Sequence, residues 1–200
     1  TSDVSHELRT PISVILSQCE YALESGKTPE DERRALESVA LQARRMSALV
    51  SQLLELSRST ASPSPLALEP VSLSALCEGV AEEMQPRADA RRIRVIQKLA
   101  PDVTIQADET QVLRLLINLM TNAINYTGDN QKVIVRQTVN DNIVRVAFED
   151  FGEGIPKEQF RNIWERYYKI DKTHKRAAIG TGLGLSIVRT VLELHGAAFP

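Results

Sequence analysis

Three features of this chain have residue types and spacing suited to chemistry: a histidine beside a carboxylate, asparagines at helical intervals, and two glycine-rich loops. His6 sits in a run whose apolar residues, Leu8, Ile12, Ile15, Leu16, Cys19 and Leu23, recur at helical period. At the α-helical rotation per residue, His6 points about 140° away from that stripe and faces solvent. A solvated imidazole is a nucleophile, and Glu7 next to it can orient it and accept its proton. Thr10 follows one turn along on the same side. Thr10, Ser13, Val14, Ser17 and Tyr21 make an outer face with few charges, which predicts a protein docking beside His6. Pro11 removes a backbone hydrogen bond and predicts a kink or a loosened turn.

The stretch Asp108–Tyr126 reads as a strongly amphipathic helix. Val112, Leu116, Leu119, Met120, Ala123 and Ile124 form its apolar face, with Asn118, Asn122, Asn125 and Tyr126 on the other side. Asparagine is only a middling helix former, so this grouping is not explained by propensity. Amide oxygens suit a hard cation such as Mg²⁺, which is usually shared with waters and substrate phosphates. Asp150-Phe151-Gly152-Glu153-Gly154-Ile155-Pro156 follows a strand pattern; its glycines allow tight backbone geometry, and Asp150 can accept a hydrogen bond from an exocyclic amine. Gly180-Thr181-Gly182-Leu183-Gly184-Leu185 opens a helix, where free amides and the positive dipole end favour phosphates. It is no Walker A loop, because the Gly-Lys-Ser/Thr ending is missing. Between the two loops, Lys169, Lys172, His174, Lys175 and Arg176 read as a basic lid. Taken singly, each feature also has a plainer reading as solvated surface, polar helix face or ordinary turn.

The elements that must position these residues follow from the pattern. After the first helix, Gly26, Thr28 and Pro29 mark a turn, and Thr28 with Asp31 can cap a second helix. That helix repeats Leu36, Val39, Ala43, Met46, Val50 and Leu53 in a short heptad, widened by Leu49 and Leu54. Such a hairpin cannot bury its own apolar surface, and two copies forming a four-helix bundle would. Ser59–Pro70, with Pro63, Pro65 and Pro70, has linker composition. Beyond it the chain predicts a helix over Ser72–Arg87, strands at Ile93–Leu99 and Val103–Gln106, the asparagine helix, a hairpin of Lys132–Val139 and Ile143–Glu149, and a closing helix over Leu183–His195. This is an α+β layered arrangement.

Composition narrows the class. The chain has 200 residues, 42% hydrophobic and 25% charged, as in an ordinary folded protein. A net charge of −2, from 24 basic and 26 acidic residues, offers no global attraction to nucleic acid or an anionic membrane. Cys19 and Cys77 have neither metal-ligand nor disulfide-scaffold spacing. No apolar run approaches the ~20 residues that span a bilayer.

Together these residues resemble the cytoplasmic catalytic core of a sensor histidine kinase of two-component signalling. Ser5-His6-Glu7-Leu8-Arg9-Thr10-Pro11 resembles that family's H box, and Asn118 through Tyr126 its N box. Asp150-x-Gly152-x-Gly154 is similar to the G1 box, Trp164 through Lys169 to the F box, and Gly180 through Leu185 to the G2 box. The resemblance implies an α+β chain. A helical hairpin at 1–60 would form a dimeric four-helix bundle and carry phosphotransfer. A linker at 61–70 would lead to a two-layer α/β sandwich ATP-binding domain of the Bergerat type at 71–200. It further implies His6 as phosphoacceptor, Glu7 as proton acceptor, and Thr10 as the residue placing water when a phosphorylated response regulator is dephosphorylated. Asn118 and Asn122 would hold Mg²⁺. ATP would be lined by Asn118, Asn122, Asn125, Tyr126, Asp150, Gly152, Gly154, Ile155, Lys169, Gly180, Thr181, Gly182, Leu183, Gly184 and Leu185. The implied partners are a second copy of the chain and a response-regulator receiver domain, with no nucleic acid, and the implied setting is the cytoplasmic side of a bacterial inner-membrane sensor.

Departures from the pattern are informative. Asn125 stands where the N box often has a basic residue, Lys169 where the F box commonly ends in arginine, and Trp164 and Tyr167 where phenylalanines are usual. Lysine keeps the charge but loses the bidentate fork. The family pattern continues past the final His-Gly into a strand pair that these residues do not include; either the sequence is cut short there or the sheet has an open edge.

Overall fold

Thr28 and Asp31 cap the second helix reciprocally. The Asp31 N–H donates to Thr28 Oγ1 at 3.2 Å, while the Thr28 hydroxyl and N–H donate to Asp31 Oδ2 at 2.6 and 3.2 Å. The structure, a computed structural model, describes residues 2–61, 65–100, 103–170 and 181–198, with the side chains of 2–4, 6, 52 and 55–61 excepted. It divides into two units, Thr1–Ser64 and Pro65–Pro200.

The first unit is a hairpin of α1 (Ser2–Leu23) and α2 (Pro29–Ala61), turning through Gly26 at φ +86°. Glu30, Asp31 and Glu32 in the first turn of α2 complement its dipole. Helix α1 continues through Pro11, so the expected break is confined to one missing backbone donor. The seam that closes the hairpin buries Pro11, Ala35 and Leu49. It is offset from the apolar stripe the sequence predicts. Cys19, placed on that stripe, is exposed, and so are Ile12, Leu16 (57%), Leu23, Leu36 (63%), Val50 and Leu54. Val14, expected on the open face, is half-buried. The hairpin therefore uses one seam internally and leaves a second apolar seam uncovered by its own two helices.

The second unit layers helices on sheet. β1 (Glu69–Ser72) pairs antiparallel with β3 (Thr104–Ala107), and β2 (Arg94–Lys98) pairs parallel with β4 (Lys132–Asn140), which pairs antiparallel with β5 (Ile143–Glu149). The predicted linker thus ends early, since Glu69 and Pro70 already face Ala107 and Gln106 in the β1–β3 ladder. Parallel strands cannot be joined by a tight turn, so the chain crosses over between β2 and β4, and α4 (Glu109–Tyr126) lies in that crossover. The β4–β5 turn uses Asp141 and Asn142, both at positive φ as a two-residue hairpin of the I′ kind requires. Helix α4 packs against both α3 (Leu73–Asp89) and α5 (Gly184–Leu194). Val80, Leu116, Met120, Ile124, Val133, Val135 and Val188 lie fully buried between the layers. On α4 the apolar face differs slightly from expectation: Leu115 is buried and Leu119 only half-buried.

Candidate nucleotide site around helix α4

Helix α4 starts where Asp108 caps it, with Oδ1 accepting the Gln111 N–H at 3.1 Å. Asp108 also anchors its surroundings: Oδ2 accepts the Ala67 N–H at 3.3 Å, and its own N–H donates to His195 Nε2 at 3.1 Å. His195 closes α5, so the last turn of α5 is tied to the first turn of α4. At its other end α5 meets the middle of α4, and the two helices run antiparallel.

That meeting point brings two distant motifs together. Asn118 Nδ2 donates to the Arg114 carbonyl at 2.9 Å, which turns Oδ1 outward. A Cβ placed on Gly184 would stand 3.1 Å from this Oδ1 and 3.8 Å from both polar atoms of the Asn122 amide. The bare backbone at the start of α5 thus faces both asparagines, and any larger residue would fill the space. Leu183, fully buried, occupies the cap position of α5 without a side-chain cap, so the first amides of α5 remain available to an anion. Gly182, at φ +73°, lies against Tyr167: the Tyr167 N–H donates to the Gly182 carbonyl at 2.8 Å, and a Cβ on Gly182 would approach the Tyr167 backbone to 2.8 Å. Tyr167 itself is at φ +64°. The aromatic segment and the second glycine loop are therefore docked backbone to backbone.

The first glycine loop sits at the C-terminal end of α4. Asp150 is exposed, and its Oδ1 accepts the Gly152 N–H at 2.9 Å. Gly152 is pressed against the Tyr126 carbonyl, where a Cβ would overlap the oxygen. Thr127, fully buried, bridges the two: its Oγ1 accepts the Phe151 N–H at 3.2 Å and donates to the Lys132 carbonyl at 3.3 Å. The Lys132 ammonium lies 4.6 Å over the Phe151 ring, a cation–π contact. Tyr126 is half-exposed at this edge, and partial burial pushes its hydroxyl above the usual tyrosine range. Gly154 takes a positive φ, +75°, with open space around it, and Ile155 is exposed.

The remaining expected site residues divide as follows. Thr181 and Leu185 are half-buried beside Gly182 and Gly184, with the Thr181 hydroxyl accepting the Leu183 N–H at 3.4 Å. Lys169 is half-buried in the segment after Tyr167. Asn125 does not join Asn118 and Asn122. It is buried, with Oδ1 accepting from Arg87 Nη2 at 2.8 Å, because its position turns toward α3. The expected polar face of α4 therefore consists of Asn118, Asn122 and Tyr126. Gly180, and the basic segment with Lys172, His174, Lys175 and Arg176, lie outside the described residues, as does the side chain of His6. Glu7 is half-buried and Thr10 exposed on α1. The sequence reading missed Arg87 and Arg91, which both reach α4 from α3 and the turn after it. The available signal was the lack of any basic residue in the last turn of α4.

Comparison with known proteins agrees with this arrangement. Residues 1–62 match the family model of the histidine kinase A (phospho-acceptor) domain. Residues 107–199 match that of the histidine kinase-, DNA gyrase B- and HSP90-like ATPases. The chain is 31% identical over 196 residues to the sensor protein IrlS of Burkholderia pseudomallei strain K96243, covering 98% of this chain but 42% of that protein. Among solved structures it resembles full-length histidine kinase ShkA in complex with AMPPNP (TM-score 0.68, 29% identity, 98% of this chain and 40% of that one). It shares the fold of histidine kinase ThkA in its complex with the response regulator TrrA (TM-score 0.74, 24% identity, 84% of this chain and 50% of that one). The chain thus spans less than half the length of IrlS.

Proposed function

We infer the activity from membership: the chain belongs to the sensor histidine kinases, carrying their phospho-acceptor segment and their ATP-binding segment in that order. It uses ATP to phosphorylate its own His6 and passes the phosphoryl group to an aspartate of a response regulator. The observation that carries this reading is the seating of Gly184 against Asn118 and Asn122, with Gly152 seated against the Tyr126 carbonyl on the same helix. ATP would lie along α4, with its base amine donating to Asp150 and its phosphates at the uncapped start of α5. A nitrogen of the His6 imidazole attacks the γ-phosphorus in line. An N–P bond forms, the P–O bond to ADP breaks, and Glu7 takes the imidazole proton. The receiver aspartate then displaces the histidine from phosphorus. In a separate phosphatase reaction, Thr10 places the water that attacks the regulator's aspartyl phosphate, releasing inorganic phosphate and restoring the aspartate.

Asn118 and Asn122 fit Mg²⁺, since the Asn118 amide oxygen and the Asn122 amide both border a space that a Cβ on Gly184 would fill. When bound there, the ion supplies charge neutralisation of the triphosphate. The uncovered seam of Ile12, Leu16, Leu36 and Val50 supports a homodimer through residues 1–60. No helix among the described residues is long and apolar enough to cross a membrane. We assign the chain to the cytoplasmic side of a longer membrane-anchored sensor, where ATP is found.

Incubation with γ-labelled ATP and Mg²⁺ tests the proposal. Acid-labile label on the chain, lost in His6→Gln and chased onto a receiver domain, is the expected result. Tight nucleotide binding with no label would reject kinase activity and leave a nucleotide-binding scaffold.

A further inference from the structure

Arg91 stands in the turn between α3 and β2, outside every motif described above, yet its guanidinium grips the exit of α4. Nη1 donates to the carbonyls of Ile124 and Asn125, the latter at 3.2 Å, and Nη2 donates to the Thr127 carbonyl at 3.1 Å. Nε donates to Asp129 Oδ1 at 2.8 Å, and Nη2 lies 2.6 Å from the same oxygen. The last carbonyls of a helix have no partners within it, and α4 carries no basic residue in its last turn. Arg91 supplies from another element both the missing donors and a positive charge at the negative dipole end.

The carbonyl that Arg91 passes over is that of Tyr126, the one against which Gly152 is pressed. The Phe151 N–H is held by Thr127 Oγ1, and the Gly152 N–H holds Asp150 Oδ1. Arg91 therefore fixes the same stretch of backbone, 124–127, on which the Asp150 loop is seated.

We propose that Arg91 is a positioning residue for purine recognition: it sets the backbone at 124–127 that aims the Asp150 carboxylate at the exocyclic amine of the base. The inference rests on the nucleotide reading of Asp150 given above. Arg91 touches no ligand, and its effect reaches the base through Tyr126, Thr127 and Gly152. Loss of the grip lets the end of α4 fray and the Asp150 loop shift, so recognition of the amine weakens while phosphate binding at the start of α5 persists.

Affinity for ATP and for inosine triphosphate, which has a carbonyl in place of the amine, separates these effects on the intact chain. We expect the native chain to prefer ATP at least tenfold. Arg91→Ala should narrow the preference to threefold or less through weaker ATP binding, with inosine triphosphate affinity changed less than twofold. Asp129→Asn, a milder change on an exposed side chain that orients the guanidinium, should narrow it about threefold and serves if Arg91→Ala does not fold. Val80→Ala, a buried truncation on α3, should lower stability and leave the ratio intact. An unchanged ratio in the Arg91 and Asp129 variants, or equal narrowing in Val80→Ala, overturns the role of Arg91. Absence of any preference in the native chain overturns the Asp150 reading and this inference with it.

Discussion

Gly184 meets Asn118 so closely that a Cβ would stand 3.1 Å from the amide oxygen, although 66 positions separate them in sequence. Here the start of α5 is brought onto the middle of α4, and the space kept open lies between two amides and a set of uncapped backbone donors. Gly184→Ala should therefore weaken ATP binding at least tenfold while leaving the fold intact. Calorimetric titration with ATP, alongside a melting curve shifted by no more than a few degrees, checks it.

Asn122 presents its amide to the same space. Asn122→Leu removes the oxygen and crowds the pocket. Phosphorylation of His6 should fall at least a hundredfold with nucleotide still bound weakly, a loss of about 2.7 kcal/mol of transition-state stabilisation. Raising Mg²⁺ should recover part of the lost rate, because a site with one ligand fewer binds the ion more weakly and is refilled by mass action. A loss that does not respond to Mg²⁺ at all would mean the ion is held elsewhere.

The capping pair at the hairpin turn gives a pH dependence. Hydrogen bonds from the Thr28 hydroxyl and N–H hold the Asp31 carboxyl below the usual carboxylate range. A depressed folded-state pKa means the contribution is present above the unfolded value, near 3.8, and is lost as pH falls through the lower folded one. Amides in the first turn of α2 should therefore exchange faster at pH 3 relative to the rest of the helix. In Asp31→Asn that pH dependence should disappear, and Thr28→Ala should cost about 1 kcal/mol of helix stability.

The two cysteines should separate cleanly. Cys77 is buried on α3, and burial pushes its thiol up to about 11, so it offers almost no thiolate near neutrality. Cys19 is exposed on α1. Cys19 lies on the same helix face as Ile12 and Leu16, which the proposed dimer covers, so at pH 8 it should take up alkylating reagent when the dimer is dissociated by dilution, and Cys77 only on unfolding; mass spectrometry of the peptides decides.

Much of this was legible from local pattern. The 3.6-residue period of Val112, Leu116, Met120 and Ala123 locates α4, because it depends on neighbours within a few residues. The cap at Thr28 and the hairpin of Lys132–Val139 with Ile143–Glu149 were readable for the same reason. Asn125 was misread, since helical angle alone gives no account of which neighbour covers which side. It lies close to Asn122 on the wheel, yet α3 packs there and Arg87 claims its oxygen. Cys19 was misplaced likewise, because two apolar seams on one hairpin cannot be ranked until the partner helix chooses one.

What the sequence determined by itself was the set of chemical groups, their order, and the helices and strands that carry them, each governed by short-range periodicity and capping. The tertiary structure alone decided which of these groups meet. The Gly184–Asn118 approach, the Gly152–Tyr126 seat and the Arg91 grip join residues many tens of positions apart or from different elements. Such contacts depend on crossover topology and side-chain reach, which have no local signature in the chain.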